Sequence, residues 1–231
     1  GGGGGVTNLV ENNSIWLGND PSGTTDTASY NVALGTTALD AITSGDNNSA
    51  IGYNALTAHT TGGYNTAVGS GALTTNTTAS KNTAVGYNAL TANTDGAYNT
   101  AIGYTALDSN TTGEYNTAVG WNTLTANTET SNLNAFGAAA LTANTTGGDN
   151  VAVGSNSLTT NTEGDNNTAI GNNSLRYNTT ANNNTAVGKS ALSANTTGTG
   201  NTALGYATIM SSVDGDYNTA VGFGAFSTSG N

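Results

Sequence analysis

Apolar and polar residues recur along this chain with a period of seventeen residues, without insertion or deletion. The stretch from Asn82 to Tyr98, NTAVGYNALTANTDGAY, is the clearest copy, and we number its positions 1 to 17 from Asn82. A fixed period of this length is the sequence signature of a solenoid, in which each copy forms one turn. Position 5 is glycine in all thirteen copies, at Gly18, Gly35, Gly52, Gly69, Gly86, Gly103, Gly120, Gly137, Gly154, Gly171, Gly188, Gly205 and Gly222.

Three further positions form apolar columns, a column being the residues at one position of successive copies. Position 3 is alanine from Ala33 to Ala220, position 4 is always a bulky apolar residue, and position 9 is leucine from Leu39 to Leu192. Each turn of a solenoid contacts only its neighbours, so we expect every such residue to stack on its equivalent one turn away. The columns include Val68, Val85 and Val119 at position 4 and Leu73, Leu90 and Leu124 at position 9.

The length and composition of the repeat favour strands over helices. Seventeen residues cannot hold two helices and their connections, and leucine-rich repeats need twenty or more. The repeat is rich in Thr, Asn, Val and Gly, which are poor helix formers. The sequence therefore predicts an all-β fold, a parallel β-solenoid (β-roll) of thirteen 17-residue turns, with short strands near positions 2–4 and 8–11.

The faces of the predicted strands bear on the oligomeric state. Positions 3 and 4 are both apolar, and so are positions 8 and 9 in most copies. Neighbours in a strand point to opposite faces, so one residue of each pair should face the lumen and the other outward, in either order. A strand that is apolar on both faces is normally buried on both. We expect a homotrimer, with intertwined or side-by-side copies; the alternative is a monomer whose alanine column faces solvent.

The two glycine columns differ in strictness. Position 15 is usually glycine but also accepts Ala79, Thr130 and Ala181, as an ordinary corner would. Position 5 accepts no side chain in any copy. Either its φ angle is positive, or another backbone passes too close for a Cβ atom.

The ends of the chain depart from the repeat. We interpret residues 1–13 as a glycine-rich linker and N-terminal lead-in, and residues 14–231 as the solenoid. Residues 14–30 form an atypical capping turn, in which Trp16 replaces the alanine of position 3 and covers the end of the core. Residues 218–231 form a truncated last turn that introduces Phe223 and Phe226.

Charge and cysteine content exclude several classes of function. The chain has no cysteine, which removes disulfides and thiolate metal sites. Its net charge is −11, and Lys81, Arg176 and Lys189 are its only cations, which argues against nucleic acid and anionic membrane surfaces as partners. No segment approaches the eighteen consecutive apolar residues of a membrane-spanning helix.

Catalytic chemistry has little support in the sequence. His59 is the only histidine and replaces the usual asparagine of position 12, so we interpret it as a neutral substitution. The carboxylates fall at corners and no pair recurs in register, which indicates a solvated acidic surface. We expect no catalytic, cofactor-binding or metal-binding residues and no enzyme activity.

Polar and aromatic columns have structural and functional interpretations. Asparagine recurs at positions 1 and 12, and stacked asparagines form hydrogen-bonded ladders. Aromatic residues recur at positions 6 and 17, where we favour packing over stacking on sugar rings. An ice-binding surface would need a flat threonine face, and only position 13 is regular enough. The candidate contacts for a glycan are Tyr53, Tyr87, Tyr104 and Trp121.

The recurring NTAVGYNALTANTTG pattern resembles the repeat regions of bacteriophage tail-fibre and related virion appendage proteins. The opening stretch from Ser14 to Leu56 is similar to such phage proteins as well. The Ala-Val/Ile-Gly core also resembles the heads of trimeric autotransporter adhesins, which are trimeric left-handed β-rolls. The resemblance covers residues 14–231 and implies a trimeric, extended and protease-resistant fibre.

The expected function is therefore that of a structural fibre segment of a virion appendage, a rigid elongated spacer that contributes to attachment to the host surface. Its expected partners are other copies of itself, other structural proteins of the virion or surface, and a host glycan. One alternative is an adhesin of the bacterial cell surface or a subunit of an extracellular filament. A weaker alternative is a glycan-binding or ice-binding solenoid.

Overall fold

The computed structural model describes residues 8–11, 13–17 and 27–226. The chain divides into two compact units, Gly1–Thr112 and Gly113–Asn231, which are described separately. Both consist of short strands and turns, and the described residues contain no helix. The predicted all-β parallel solenoid is confirmed in each unit, with one strand every seventeen residues.

The first unit begins with an antiparallel pair and continues as a parallel ladder. Strand β1, Asn8–Glu11, lies within the predicted lead-in and pairs antiparallel with β2. Each later strand pairs in parallel with the one before it, and from β3 onward alanine meets alanine in successive turns. The parallel strands are β2 Ser14–Leu17, β3 Val32–Leu34, β4 Ser49–Ile51, β5 Thr66–Val68, β6 Thr83–Val85 and β7 Thr100–Ile102.

The second unit is a ladder of seven parallel strands with the same register. Ala118 pairs with Ala135, and Ala152 with Ala169. The strands are β8 Thr117–Val119, β9 Asn134–Phe136, β10 Val151–Val153, β11 Thr168–Ile170, β12 Thr185–Val187, β13 Thr202–Leu204 and β14 Thr219–Val221.

Trp16 lies at the first turn of the parallel ladder and is buried. It pairs with Ala33 on one side and with Leu9 of the antiparallel β1 on the other. The other unusual residues of the first turn, from 18 to 26, lie outside the described residues, as does the polyglycine run. In the last turn Phe223 and Phe226 are exposed, and residues 227–231 also lie outside the described part.

The three-residue strands settle which of the two apolar columns faces the lumen. Alternation along each strand places position 3 inward and positions 2 and 4 outward. Ala67 and Ala84 are fully buried, whereas Val68 and Val85 are partly exposed. Small alanine side chains thus line the narrow interior, and the bulky aliphatic column faces outward.

The second predicted strand, over positions 8–11, is wrong, because these residues form turns. Asn54 at position 7 and Leu56 at position 9 have φ angles of 56° and 52°, in the left-handed region. A leucine in this conformation costs about 1–2 kcal/mol. The left-handed residues break the alternation of a strand, so Ala55 and Leu56 both point into the core and are fully buried.

Successive turns remain hydrogen-bonded to each other in this segment although it is not a strand. The Leu56 N–H donates to the Ala72 carbonyl at 3.0 Å, and the Ala58 N–H donates to the Thr74 carbonyl at 3.1 Å. Equivalent bonds recur in the second unit, for example from Leu141 to Ser157 at 3.0 Å. The leucine column is therefore held by main-chain bonds as well as by packing.

Buried asparagines close each regular turn. Asn82 and Asn93, at positions 1 and 12, both donate from Nδ2 to the Gly96 carbonyl at 2.8 and 2.9 Å. Asn93 also donates to Asn76 Oδ1 at 3.1 Å, which confirms the predicted amide ladder at position 12. At position 1 the ladder runs mainly through the main chain, since Asn82 Oδ1 accepts from the Asn99 N–H at 2.9 Å.

Both explanations offered for the strict glycine of position 5 hold. In the second unit Gly120 has a φ angle of +142°, which residues with a side chain rarely adopt. A Cβ atom there would also lie 2.6 Å from the carbonyl carbon of Gly137. Position 15 has no positive φ angle, and although a Cβ atom at Gly164 would meet the Ala181 carbonyl, Ala181 itself fills this position in a buried turn.

We expect Gly120→Ala to destabilise the second unit more than Gly164→Ala. The first substitution forces an unfavourable φ angle, which costs about 1–3 kcal/mol, and adds a clash with backbone. The second also places a Cβ atom too close to the Ala181 carbonyl oxygen, but at an ordinary φ angle, and Ala79 and Ala181 show that the turn accommodates alanine at this position. Thermal unfolding of both variants measures the difference, and equal melting temperatures would contradict this explanation of the strict column.

Candidate functional site

The side of the turn that faces outward from the strands is a candidate interaction surface. We call the residues at positions 2 and 4 of β3–β7, and separately of β8–β14, the outer sheet face of each unit. Position 2 is mostly threonine and position 4 always aliphatic or aromatic. Ile51 in the first unit is 39% exposed and Ile170 in the second is 40% exposed, although both are large apolar residues.

Carboxylates are excluded from the outer sheet face. From residue 27 onward they lie at positions 10, 14, 16 and 17 of the turn. Those of position 16 have a structural use: Asp165 accepts from the Gly148 N–H at 2.7 Å, and Asp46 from the Ser29 N–H at 2.8 Å. The acidic surface therefore lies on other sides of the turn and leaves the strand side uncharged.

The aromatic residues of position 6 lie just beyond the corner that Gly of position 5 makes at the end of each strand. Tyr53, Tyr87 and Tyr104 in the first unit and Trp121 in the second are all about half exposed. Tyr87 and Tyr104 stack with ring centroids 5.2 Å apart and ring planes 17° apart. Packing between neighbouring rings, which the sequence favoured, thus holds for this pair.

Position 17 carries a second aromatic column on the opposite flank of the strand. Tyr64 and Tyr98 of the first unit are exposed there, with Lys81 between them in the sequence of turns. Lys81 Nζ lies 4.7 Å from the ring centroid of Tyr98 and donates to the Tyr98 hydroxyl at 2.9 Å. The lysine side chain and the ring stabilise each other through this cation–π contact.

His59 is fully buried and substitutes for both hydrogen bonds of the asparagine that usually occupies position 12. Its Nε2 donates to the Gly62 carbonyl at 2.7 Å, and its Nδ1 accepts from Asn76 Nδ2 at 3.0 Å. This pairing fixes the neutral form with the proton on Nε2. Burial lowers the pKa of His59 below its ordinary value of 6.5, and the bond from Nε2 to the Gly62 carbonyl partly offsets that effect.

The threonines of position 13, which were the candidate ice-binding face, are engaged within the protein. Thr145 Oγ1 donates to the Thr162 carbonyl at 2.9 Å, and Thr179 Oγ1 to the Thr196 carbonyl at 3.0 Å. This column forms a structural ladder along the turns. The regular threonines that face outward are those of position 2, on the outer sheet face, which the sequence did not single out.

The remaining predicted residues occupy the scaffold. The glycines of position 5 from Gly35 to Gly222 form the corners after the strands, and Leu73, Leu90 and Leu124 are fully buried. Val68, Val85 and Val119 lie on the outer sheet face. Among the described residues, no three His, Asp or Glu side chains come close enough together to hold a metal ion. The same residues include no helix long and apolar enough to cross a membrane.

We expect the stability of the first unit to fall with pH below about 6.5, and His59→Asn to remove that dependence. Because the pKa of His59 is lower in the folded state than in the unfolded state, the unfolded state takes up a proton first as the pH falls. The free energy of unfolding is therefore unaffected by this group above its unfolded pKa and decreases below it. The loss cannot exceed about 1.4 kcal/mol per pH unit. Denaturant unfolding at pH 7.5 and 5.5 measures the effect, and His59→Asn, which differs from the parent protein at this residue alone, is its control. An equal acid dependence in the two would contradict this role of His59.

No protein-family model, no curated protein and no solved structure matches the chain.

Proposed function

We propose that this chain is a structural segment of an extracellular fibre, most closely that of a bacteriophage tail fibre or related virion appendage. In this role it is a rigid spacer that assembles as a homotrimer and contributes to attachment at a host surface. The observation that carries the proposal is the outer sheet face, an apolar column that is partly or largely exposed on every described strand from β3 onward.

Burial of this face on association would stabilise an assembly. Full burial of an aliphatic side chain contributes about 1.5–3 kcal/mol, so covering the exposed two fifths of Ile170 contributes about 0.6–1.2 kcal/mol. The second unit presents an apolar residue of position 4 on each of its seven strands. A sheet with both faces apolar is normally covered on both, and the interior alanines already cover one.

Charge and spacing favour a second copy of the same chain as the covering partner. The net charge of −11 makes copies repel each other wherever carboxylates meet. The outer sheet face is free of carboxylates, so it is the side on which copies can approach. Two copies that run parallel also match each other turn for turn, since both present the same residues at the same axial spacing.

The spacer role is supported by the ladders inside each unit. Every regular turn is tied to the next through strand pairing, the bonds of the leucine segment, the asparagine columns and the threonines of position 13. Turns in solenoids stabilise each other through such nearest-neighbour interfaces. A unit built in this way resists local bending, because bending would stretch several hydrogen bonds in the same layer.

The experiment that tests the proposal is the mass of the whole chain in solution, measured by light scattering or sedimentation. The expected mass is three times the 22.7 kDa of one chain. We expect Val119→Asp combined with Phe136→Asp to dissociate the assembly into single chains. The two adjacent layers would otherwise bury six like charges, each costing several kcal/mol without a partner.

Two matched variants separate assembly from folding. Thr146→Asp combined with Thr197→Asp adds the same charge at exposed position 14, where other turns already carry acids, and should keep the trimer. Ala118→Asp places a charge in the buried column and should lower the melting temperature in any oligomeric state. A parent protein with the mass of one chain, or a double variant at residues 119 and 136 that stays trimeric, would refute the proposed assembly.

A further inference from the structure

The aromatic column at position 6 of the first unit contains one gap. In successive turns this position holds Tyr53, Ser70, Tyr87 and Tyr104. Tyr87 and Tyr104 show how consecutive rings lie, face to face and 5.2 Å apart along the ladder. Where Ser70 stands, the ring that would stack between Tyr53 and Tyr87 is missing.

The gap has the thickness of one ring. Neighbouring parallel strands are about 4.8 Å apart, so residues two turns apart are separated by roughly 10 Å along the ladder. Ser70 is half-buried and short, and it forms the base between Tyr53 and Tyr87, which are 59% and 49% exposed. A flat ring inserted here would lie about 5 Å from each tyrosine, within the range of stacked rings.

The base of the gap also carries a polar group. Position 7 of this turn is Gly71, and a Cβ atom at Gly71 would collide with Asn88 Oδ1, so the amide of Asn88 reaches back over this turn. In the turns before it, the hydroxyl of Thr37 donates to Asn54 Oδ1. Gly71 has no side chain to make the equivalent bond to Asn88, whose amide oxygen lies against Gly71, next to Ser70 in the chain.

The equivalent position in the other aromatic column is filled by the chain itself. Between Tyr64 and Tyr98 stands Lys81, whose side chain lies over the Tyr98 ring and bonds to its hydroxyl. The gap at Ser70 has no such occupant, because serine is too short to cover either ring. The two columns therefore differ in whether a ring from outside can enter.

We propose that Tyr53, Ser70, Tyr87 and Asn88 form a binding slot for one neutral pyranose ring of a glycan. Two aromatic faces suit the two flat faces of a sugar ring, and the Asn88 amide, the Ser70 hydroxyl and the tyrosine hydroxyls suit its hydroxyl groups. Residues 51–54, 68–71 and 85–88 carry no charge, which selects an uncharged sugar.

The slot is compatible with the proposed assembly but does not depend on it. It lies beyond the glycine corner at the end of the strand, whereas the outer sheet face consists of positions 2 and 4. When copies associate through the outer sheet face, the residues of position 6 lie at the edge of the interface and stay accessible. A single chain would carry the same slot.

The test is binding of maltohexaose, cellohexaose and chitohexaose to the whole chain, measured by saturation-transfer NMR and calorimetry. We expect at least one of these neutral oligosaccharides to bind and to receive saturation from tyrosine ring protons. Ser70→Tyr should lower its affinity at least tenfold, because the new ring fills the slot and stacks as Tyr104 does on Tyr87. Ser155→Tyr is the matched control, since it makes the same substitution at position 6 between Ala138 and Asn172, and it should leave binding unchanged.

A second pair of variants keeps the test decisive if Ser70→Tyr folds poorly. Tyr53→Leu removes one wall of the slot and should weaken binding at least threefold, whereas Tyr30→Leu, in the other aromatic column, should not. The proposal is overturned if none of the three oligosaccharides binds, or if the variants at residues 70 and 53 bind as their controls do. A change of assembly mass in Ser70→Tyr without any sugar binding would assign the slot to contact between copies and overturn it as well.

Discussion

Two buried asparagine side chains in each regular turn donate to a single carbonyl oxygen, and most features of the fold depend on this shared acceptor. In the second unit Asn150 and Asn161 both donate to the Gly164 carbonyl, at 2.7 and 3.0 Å. A buried amide that loses its partner costs about 1–3 kcal/mol. One residue inserted between positions 1 and 15 would displace either a donor or the carbonyl. One inserted after position 15 would move the next asparagine N–H, since the Asn167 N–H donates to Asn150 Oδ1 at 2.9 Å. A turn of any other length would therefore leave buried polar groups unsatisfied. The period of seventeen residues is strict for this reason.

The same constraint decides which substitutions the interior tolerates. His59 is accepted at position 12 because its two ring nitrogens reproduce both bonds of an asparagine. Leu133 is accepted at position 1 because its main-chain N–H still donates to Asn116 Oδ1, at 2.9 Å, even though the side chain offers no amide to the next turn. Alanine is accepted at position 15 but not at position 5, where a positive φ angle and an adjacent backbone coincide. The interior thus constrains hydrogen bonds and backbone geometry more than it constrains residue identity.

The sequence predicted the period, the strand at positions 2–4 and the asparagine ladder of position 12, because each is a column whose chemistry repeats. The expectation that one of positions 8 and 9 faces outward was wrong, since Ala55 and Leu56 are both fully buried. The sequence did not predict the turn over positions 7–9, because leucine is a poor indicator of left-handed backbone. The frequent asparagine at position 7, as in Asn54 and Asn88, was the available signal, since asparagine adopts this conformation more readily than most residues. The sequence left open whether position 3 or position 4 faces outward, because strand alternation requires only that they face opposite sides. The gap at Ser70 did not stand out in the sequence, because it is a single departure from a column and not a feature that repeats.

This distinction bears on how a repetitive chain acquires a specific function. A column that is the same in every turn presents a continuous surface, which suits another surface with the same spacing and cannot single out one ligand. The outer sheet face is of this kind, and self-association is the function that such regularity supports. Recognition of a small ligand needs a local shape, and a solenoid obtains one only where a column is broken. Ser70 and Gly71 interrupt two neighbouring columns in one turn, while Ala67 and Leu73 of the same turn are fully buried as in the other turns. Assembly and recognition can therefore change independently on this scaffold, the first through whole columns and the second through single turns.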